Sequence, residues 1–132
     1  MTASIVLKGT VSSGLGEGRK FMSIPEYRKQ FVEALGMDPY PGTLNLRASE
    51  SSAGDLARLK STPGIAIKGF DSGGKTFGGV KAFDARIRGI ECAIVMPERT
   101  SHTDTFEVIA NEGLRDELAL KDGDEVEVAV QL

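Results

Sequence analysis

Gly69-Phe70-Asp71-Ser72-Gly73-Gly74-Lys75-Thr76, continued by Phe77-Gly78-Gly79-Val80-Lys81-Ala82-Phe83, is the stretch on which the fold turns. Its first eight residues match the P-loop pattern of Gly, four residues, then Gly-Lys-Thr. A P-loop works because its lysine and threonine open a helix whose free N–H groups hold phosphates. The residues that follow here are broken by glycine and suit a strand, so Ser72-Gly73-Gly74 reads as a hairpin turn. P-loop domains also need several βα units, which 132 β-rich residues do not supply.

The chain on either side of this hairpin is largely β. Ile65 to Phe70, Thr76 to Phe83, Ala85 to Arg88, Cys92 to Met96, Thr105 to Ala110 and Glu125 to Val130 are predicted strands separated by turn signals. Lys121-Asp122-Gly123-Asp124 is the turn feeding the last strand, and Leu114 to Leu118 a helical turn. Upstream, Ile5 to Val11 is a first strand, and Thr43-Leu44-Asn45-Leu46 a short one with Leu44 and Leu46 inward and Thr43 and Asn45 on the opposite face. The clearest helix covers residues 25 to 35. Ser23-Ile24-Pro25-Glu26 has a capping-box pattern, Tyr27, Phe31, Ala34 and Leu35 share a face, and Gly36 suits the stop. Asp55 to Lys60 adds one or two helical turns. About eight short strands and one main helix predict a mainly β chain, a single domain over residues 1–132 built as a closed or nearly closed small barrel with a helix against one end.

Composition narrows the function. With 16 Lys+Arg against 19 Asp+Glu the net charge is −3, which argues against nonspecific nucleic-acid binding, since that uses a basic face. No apolar run approaches the roughly 18 residues of a membrane span, and no signal pattern opens the chain, so a cytoplasmic protein without a membrane partner is expected. One cysteine and one histidine exclude an internal disulfide and a Cys/His zinc site; Cys92 reads as a small core residue.

Four places carry polar chemistry. Gly14-Leu15-Gly16-Glu17-Gly18-Arg19-Lys20 is a loop whose glycine amides can form an anion nest beside two cations, or simply a structural glycine loop. No helix opens at its last glycine, so it is not a dinucleotide fingerprint. Thr43 and Asn45 project two neutral oxygens from one strand face, either a polar surface or a weak hard-cation site that needs a nucleotide's charge to hold the ion. Pro97 to Asp104, with Thr100 and His102, is a polar loop free to meet a ligand. Glu107 lies between apolar neighbours, as a general base or as the solvent face of a strand.

Taken together, several segments resemble the archaeal CTP-dependent riboflavin kinases. They are Gly9-Thr10-Val11 with Ser13 to Gly18, Pro39-Tyr40-Pro41-Gly42-Thr43-Leu44-Asn45-Leu46, Phe77-Gly78-Gly79-Val80-Lys81, Ala93-Ile94-Val95 to Pro97, Thr100 with His102, and Glu107-Val108-Ile109-Ala110. Leu114-Arg115 and Leu120-Lys121-Asp122-Gly123-Asp124 complete the set, in the family's order over nearly the whole chain. The resemblance implies a six-to-eight-stranded cradle-loop β-barrel that transfers the γ-phosphoryl of CTP to riboflavin, giving FMN and CDP. It also implies nucleotide contacts at Gly14, Leu15, Gly16, Glu17, Gly18, Arg19 and Lys20 and at Glu112, Gly113, Leu114 and Arg115. Thr43 and Asn45 would hold Mg2+, and Thr100 and Glu107 would meet the flavin, with Glu107 as base or hydroxyl-orienting group. Some members carry an additional N-terminal DNA-binding domain; none is expected here, nor a regulatory role, and a monomer is expected. Two other readings stand beside it: a swapped-hairpin DNA-binding regulator, and a flavin- or nucleotide-binding module without catalysis.

Overall fold

The structure, a computed structural model, describes residues 4–13, 24–97 and 104–132. Its strands are β1 (Ser4–Ser12), β2 (Leu44–Ala48), β3 (Ile65–Ile67), β4 (Phe70–Ser72), β5 (Lys75–Phe77), β6 (Val80–Ile87), β7 (Ile90–Pro97), β8 (Thr105–Ala110) and β9 (Glu125–Gln131). The helices are α1 (Pro25–Leu35), α2 (Ala53–Ser61) and α3 (Leu114–Glu117), with a 3-10 turn at Glu50–Ser52 leading into α2. Six strands close into an antiparallel barrel in the order β6-β7-β8-β2-β1-β9, with β9 returning to β6. Closure removes the free edges that a sheet this small would otherwise present.

Alternation along the strands sorts the side chains. Leu7, Leu46, Phe83, Ile94, Val108 and Val128 all pack into one buried cluster inside the barrel. Each such side chain contributes about 1.5–3 kcal/mol by leaving water. Gly9 belongs to the same inward set, and a Cβ there would lie 3.1 Å from the Leu46 Cβ and 3.2 Å from the Arg47 carbonyl oxygen, so a side chain would require β1 or β2 to give by a few tenths of an ångström. Cys92 is one of the core residues, and burial pushes its thiol up to about 12, where it carries no thiolate chemistry at neutral pH.

A second cluster lies on the outer wall. Ala93 and Val95 alternate with the inward Ile94, and together with Ala82 and Ile109 they meet Tyr27 and Phe31 of α1. The helix expected at one end of the barrel therefore lies along its side, and α2 is the helix whose Leu56 and Leu59 join the interior cluster. The apolar stripe of α1 is narrower than the sequence indicates: Tyr27 and Phe31 are buried, Leu35 is half-buried and Ala34 is exposed. Its N-cap position falls on Ile24, which makes no side-chain cap, with Pro25 opening the helix; Ser23 of the expected capping box lies outside the described residues. Gly36 ends it at φ 64°, donating to the Val32 carbonyl at 3.0 Å.

The Gly-Lys-Thr stretch is a hairpin. Gly73 and Gly74 have φ of 58° and 78°, the paired positive values of a two-residue turn that matches strand twist, and they join β4 to β5. Lys75 and Thr76 thus lie in a strand, with no helix behind them to receive phosphate. The hairpin docks on α1 through aromatic contacts: Phe70 and Phe77 stack at 5.0 Å, Tyr27 meets Phe70 edge-on at 4.7 Å, and the Tyr27 hydroxyl donates to the Gly78 carbonyl at 2.6 Å. Burial pushes the Tyr27 phenol above its ordinary value.

Strand limits differ from the expected ones where side chains replace ladder bonds. The strand expected from Ile65 to Phe70 breaks after Ile67, because the Gln30 amide donates to the Lys68 carbonyl at 2.9 Å and accepts from the Lys68 N–H at 2.7 Å. The separate strands expected at Thr76 to Phe83 and Ala85 to Arg88 redistribute, with Thr76 in β5 and β6 running unbroken through the exposed Asp84. Lys81, in β6, donates from Nζ to the carbonyls of Leu59, Lys60 and Thr62 at 3.0, 2.5 and 2.9 Å. One ammonium therefore satisfies the open end of α2 and fixes that helix to the barrel. Lys81→Met, which keeps the stem and removes the charge, should lower stability by roughly 1–3 kcal/mol in urea unfolding; an unchanged midpoint would refute this role.

Candidate active site

The start of β2 lies beside the end of β8, and that antiparallel pairing builds the site. Leu44 is registered with Val108 and Leu46 with Phe106, all facing the interior, which leaves Asn45 opposite Glu107 on the outer wall. Thr43, one residue before β2, shares that face and donates from Oγ1 to Glu107 Oε1 at 2.9 Å. All three side chains are half-buried. Across the wall the registered row runs Ala82, Val95, Glu107, Asn45, Ser12. Glu107 thus stands where the apolar patch under α1 gives way to polar groups.

The segments that flank β2 and β8 complete the site. Tyr40 N–H donates to the Ala110 carbonyl and Gly42 N–H to the Tyr40 carbonyl, both at 2.8 Å, so the Pro39-Tyr40-Pro41-Gly42 turn is tied to the end of β8. Asp38 N–H donates to Asn111 Oδ1 at 2.9 Å, one residue before the Glu112 to Arg115 segment. Between turn and segment lies a cleft of about 220 Å³ lined by Tyr40, Thr43, Glu112, Gly113, Leu114 and Arg115, among others. A magnesium-type candidate and a nucleotide-type candidate, far apart in sequence, therefore share one cavity. A larger groove of about 680 Å³ runs past Lys8, Arg88, Glu125 and Glu127, but it includes none of the candidate site residues.

Asp122 joins the remaining pieces. It accepts from Ser13 Oγ at 2.6 Å and forms an ion pair with Arg115. Ser13 immediately precedes Gly14, so this carboxylate links the root of the glycine loop to the cleft. The sequence marked Asp122 only as a turn residue, and its partners in folded space carry no local signal. Gly14 to Lys20, Thr100 and His102 lie outside the described residues.

Among the described residues, no group of three or more His, Cys, Asp or Glu side chains gathers to hold a metal. The oxygens of Thr43, Asn45 and Glu107 nonetheless suit a hard cation. A hydroxyl that gives its proton to a carboxylate keeps both lone pairs, and magnesium takes few protein ligands when phosphates and water complete its shell.

The fold and site thus define a small closed antiparallel barrel without a P-loop, with a cleft where the start of β2 and the end of β8 meet the Tyr40 turn and the Glu112 to Arg115 segment. A family model named for CTP-dependent riboflavin kinases, and described as a domain of unknown function, DUF120, matches residues 11–130. The chain belongs to this family. It is 55% identical over 130 residues to a riboflavin kinase of Archaeoglobus fulgidus, covering 98% of this chain and 56% of that one. Riboflavin kinases of Pyrobaculum aerophilum and Thermoplasma acidophilum are 53% and 46% identical, with 98% and 96% of this chain covered. The chain spans 62% and 58% of their lengths.

The Ser13 and Arg115 hydrogen bonds hold Asp122 below the ordinary carboxylate value. Its folded value lies below its unfolded one, so its contribution to stability is present above 3.8 and is lost as pH falls through the folded value. Asp122→Asn should therefore be less stable than the parent at neutral pH, with the difference shrinking below pH 3.8 in parallel thermal melts. A difference that does not change with pH would refute the link.

Proposed function

We propose that this chain is a CTP-dependent riboflavin kinase, transferring the γ-phosphoryl of CTP to the ribityl 5′-hydroxyl of riboflavin to give FMN and CDP. The observation that carries the reading is the place of Thr43, which donates to Glu107 at 2.9 Å and lines the same cleft as Glu112 to Arg115. The similarity to riboflavin kinases over nearly the full chain supports it.

In this reading Arg115 and the Glu112-Gly113-Leu114 backbone hold the nucleotide, and the loop Gly14 to Lys20 supplies amides and the Arg19 and Lys20 charges to its phosphates. Thr43 and Asn45 hold Mg2+, which when bound offsets phosphate charge. Thr100 and Glu107 meet the flavin. Thr43 occupies one oxygen of Glu107, which fixes the carboxylate plane and directs the other oxygen to the 5′-hydroxyl. Glu107 orients that hydroxyl and takes its proton as the oxygen bonds the γ-phosphorus. The bond from the γ-phosphorus to the bridging oxygen breaks, and CDP leaves. Phosphoryl transfer asks little covalent chemistry of the protein, so in-line placement supplies most of the rate.

FMN formation from riboflavin, followed by chromatography with magnesium and CTP, ATP, GTP or UTP in parallel, tests the whole reading. Product chiefly with CTP is expected; product chiefly with ATP would overturn the donor, and no product from folded protein that binds riboflavin would leave a noncatalytic module. Glu107→Gln should retain flavin binding while turnover falls by about 100-fold, the loss typical of a removed general base. Thr43→Ala with Asn45→Ala should weaken magnesium-dependent nucleotide binding, and equal affinity would remove the metal assignment.

A further inference from the structure

Among the described residues, Tyr40 is the one aromatic side chain in the group of large apolar residues left exposed, at 44%. It lies on the wall of the 220 Å³ cleft, and the fold holds it rigidly. Pro39 and Pro41 flank it, restricting the backbone, and both its N–H and its carbonyl are bonded. Its ring presses on Gly113: a Cβ at that position would lie 3.1 Å from Tyr40 Cζ and 3.2 Å from Cε1. A side chain at Gly113 would require the ring to give way by a few tenths of an ångström. This packing leaves a half-exposed aromatic surface three residues from Thr43, in a cavity where the apolar Leu44, Val108 and Leu114 meet the polar Thr43, Glu112 and Arg115.

The geometry points to Tyr40 as the stacking surface for the base of the nucleotide donor, and to a one-ring base as the occupant. The inference rests on the cleft being the nucleotide site. Planar heteroaromatic rings stack on tyrosine whatever their hydrogen-bonding edge, and a rigid ring loses little entropy in doing so. The cleft is smaller than the roughly 300–1,000 Å³ of sites that enclose drug-sized ligands, which suits a pyrimidine better than the three-ring flavin. The flavin then lies outward of Glu107 along the wall, and Tyr40 contributes to pyrimidine preference.

Calorimetric titration of the full chain with CDP, with magnesium pyrophosphate and with riboflavin, each alone, tests this. Tyr40→Leu should weaken CDP binding by about tenfold or more while pyrophosphate and riboflavin affinities stay at the parental level, and Tyr40→Phe should restore CDP binding. The chain has no tryptophan and two tyrosines, and Tyr27 is fully buried, so the emission that CDP quenches in the parent should be lost in Tyr40→Phe. Gly113→Ala, which displaces the ring without changing its chemistry, should also weaken CDP selectively. Equal CDP affinity in a folded Tyr40→Leu protein overturns the inference, as does a loss confined to riboflavin or shared equally by pyrophosphate. A parent protein that binds neither CDP nor pyrophosphate overturns the nucleotide site itself.

Discussion

The register of β2 against β8 is the constraint on which the site depends. Leu44 facing Val108 and Leu46 facing Phe106 are held by burial in the barrel interior, and side chains alternate strictly along a strand. A slip of one residue would turn both leucines to solvent and force Thr43 and Asn45 into an apolar core. The position of Asn45 opposite Glu107, and the reach of Thr43 to the same carboxylate, are thus set by hydrophobic residues on the other face of the two strands. The site's accuracy comes from the core behind it.

The outer wall works by a similar division. α1 covers the part of β6, β7 and β8 that carries Ala82, Ala93, Val95 and Ile109, and stops short of Glu107. The hairpin β4–β5 extends that cover through Phe70 and Phe77, while Lys81 and Ser52 tie α2 to the strands, Ser52 by accepting the Lys8 N–H at 2.8 Å. What remains uncovered is the strip from Glu107 to Asn45, bordered by the turn at Tyr40. Covering the apolar part leaves the polar strip open beside the cleft, which Thr43 lines.

Much of this was legible in the sequence where a signal is local. Paired glycines gave the Ser72 to Lys75 turn, the Tyr27 and Phe31 spacing gave α1, and the Thr43 and Asn45 spacing put both on one face. The continuity of β6 was not legible, because Asp84 reads as a break when the strand's other face is unknown. Nor was the joining of Thr43 to Glu107, which crosses 64 residues, or of Ser13 to Asp122, which crosses 109. Periodicity fixes the face on which a residue lies; only strand order and register fix its neighbour. The resemblance named residues on both sides of these gaps, and the fold accounts for why Thr43 and Arg115 belong in one cavity.

The edge of β6 is shared. Its first residues pair with β3 through Ile65 to Ile67, and the barrel closes on β9 only farther along, at Ala85 with Val130 and Arg86 with Ala129. This seam is the shortest ladder in the ring, and it lies diametrically opposite the β2–β8 pair. Fewer ladder hydrogen bonds there than at any other strand pair of the ring must break for local opening, the process that amide hydrogen exchange registers. Such breathing can relax the ring on one side while the cleft's own ladder stays zipped.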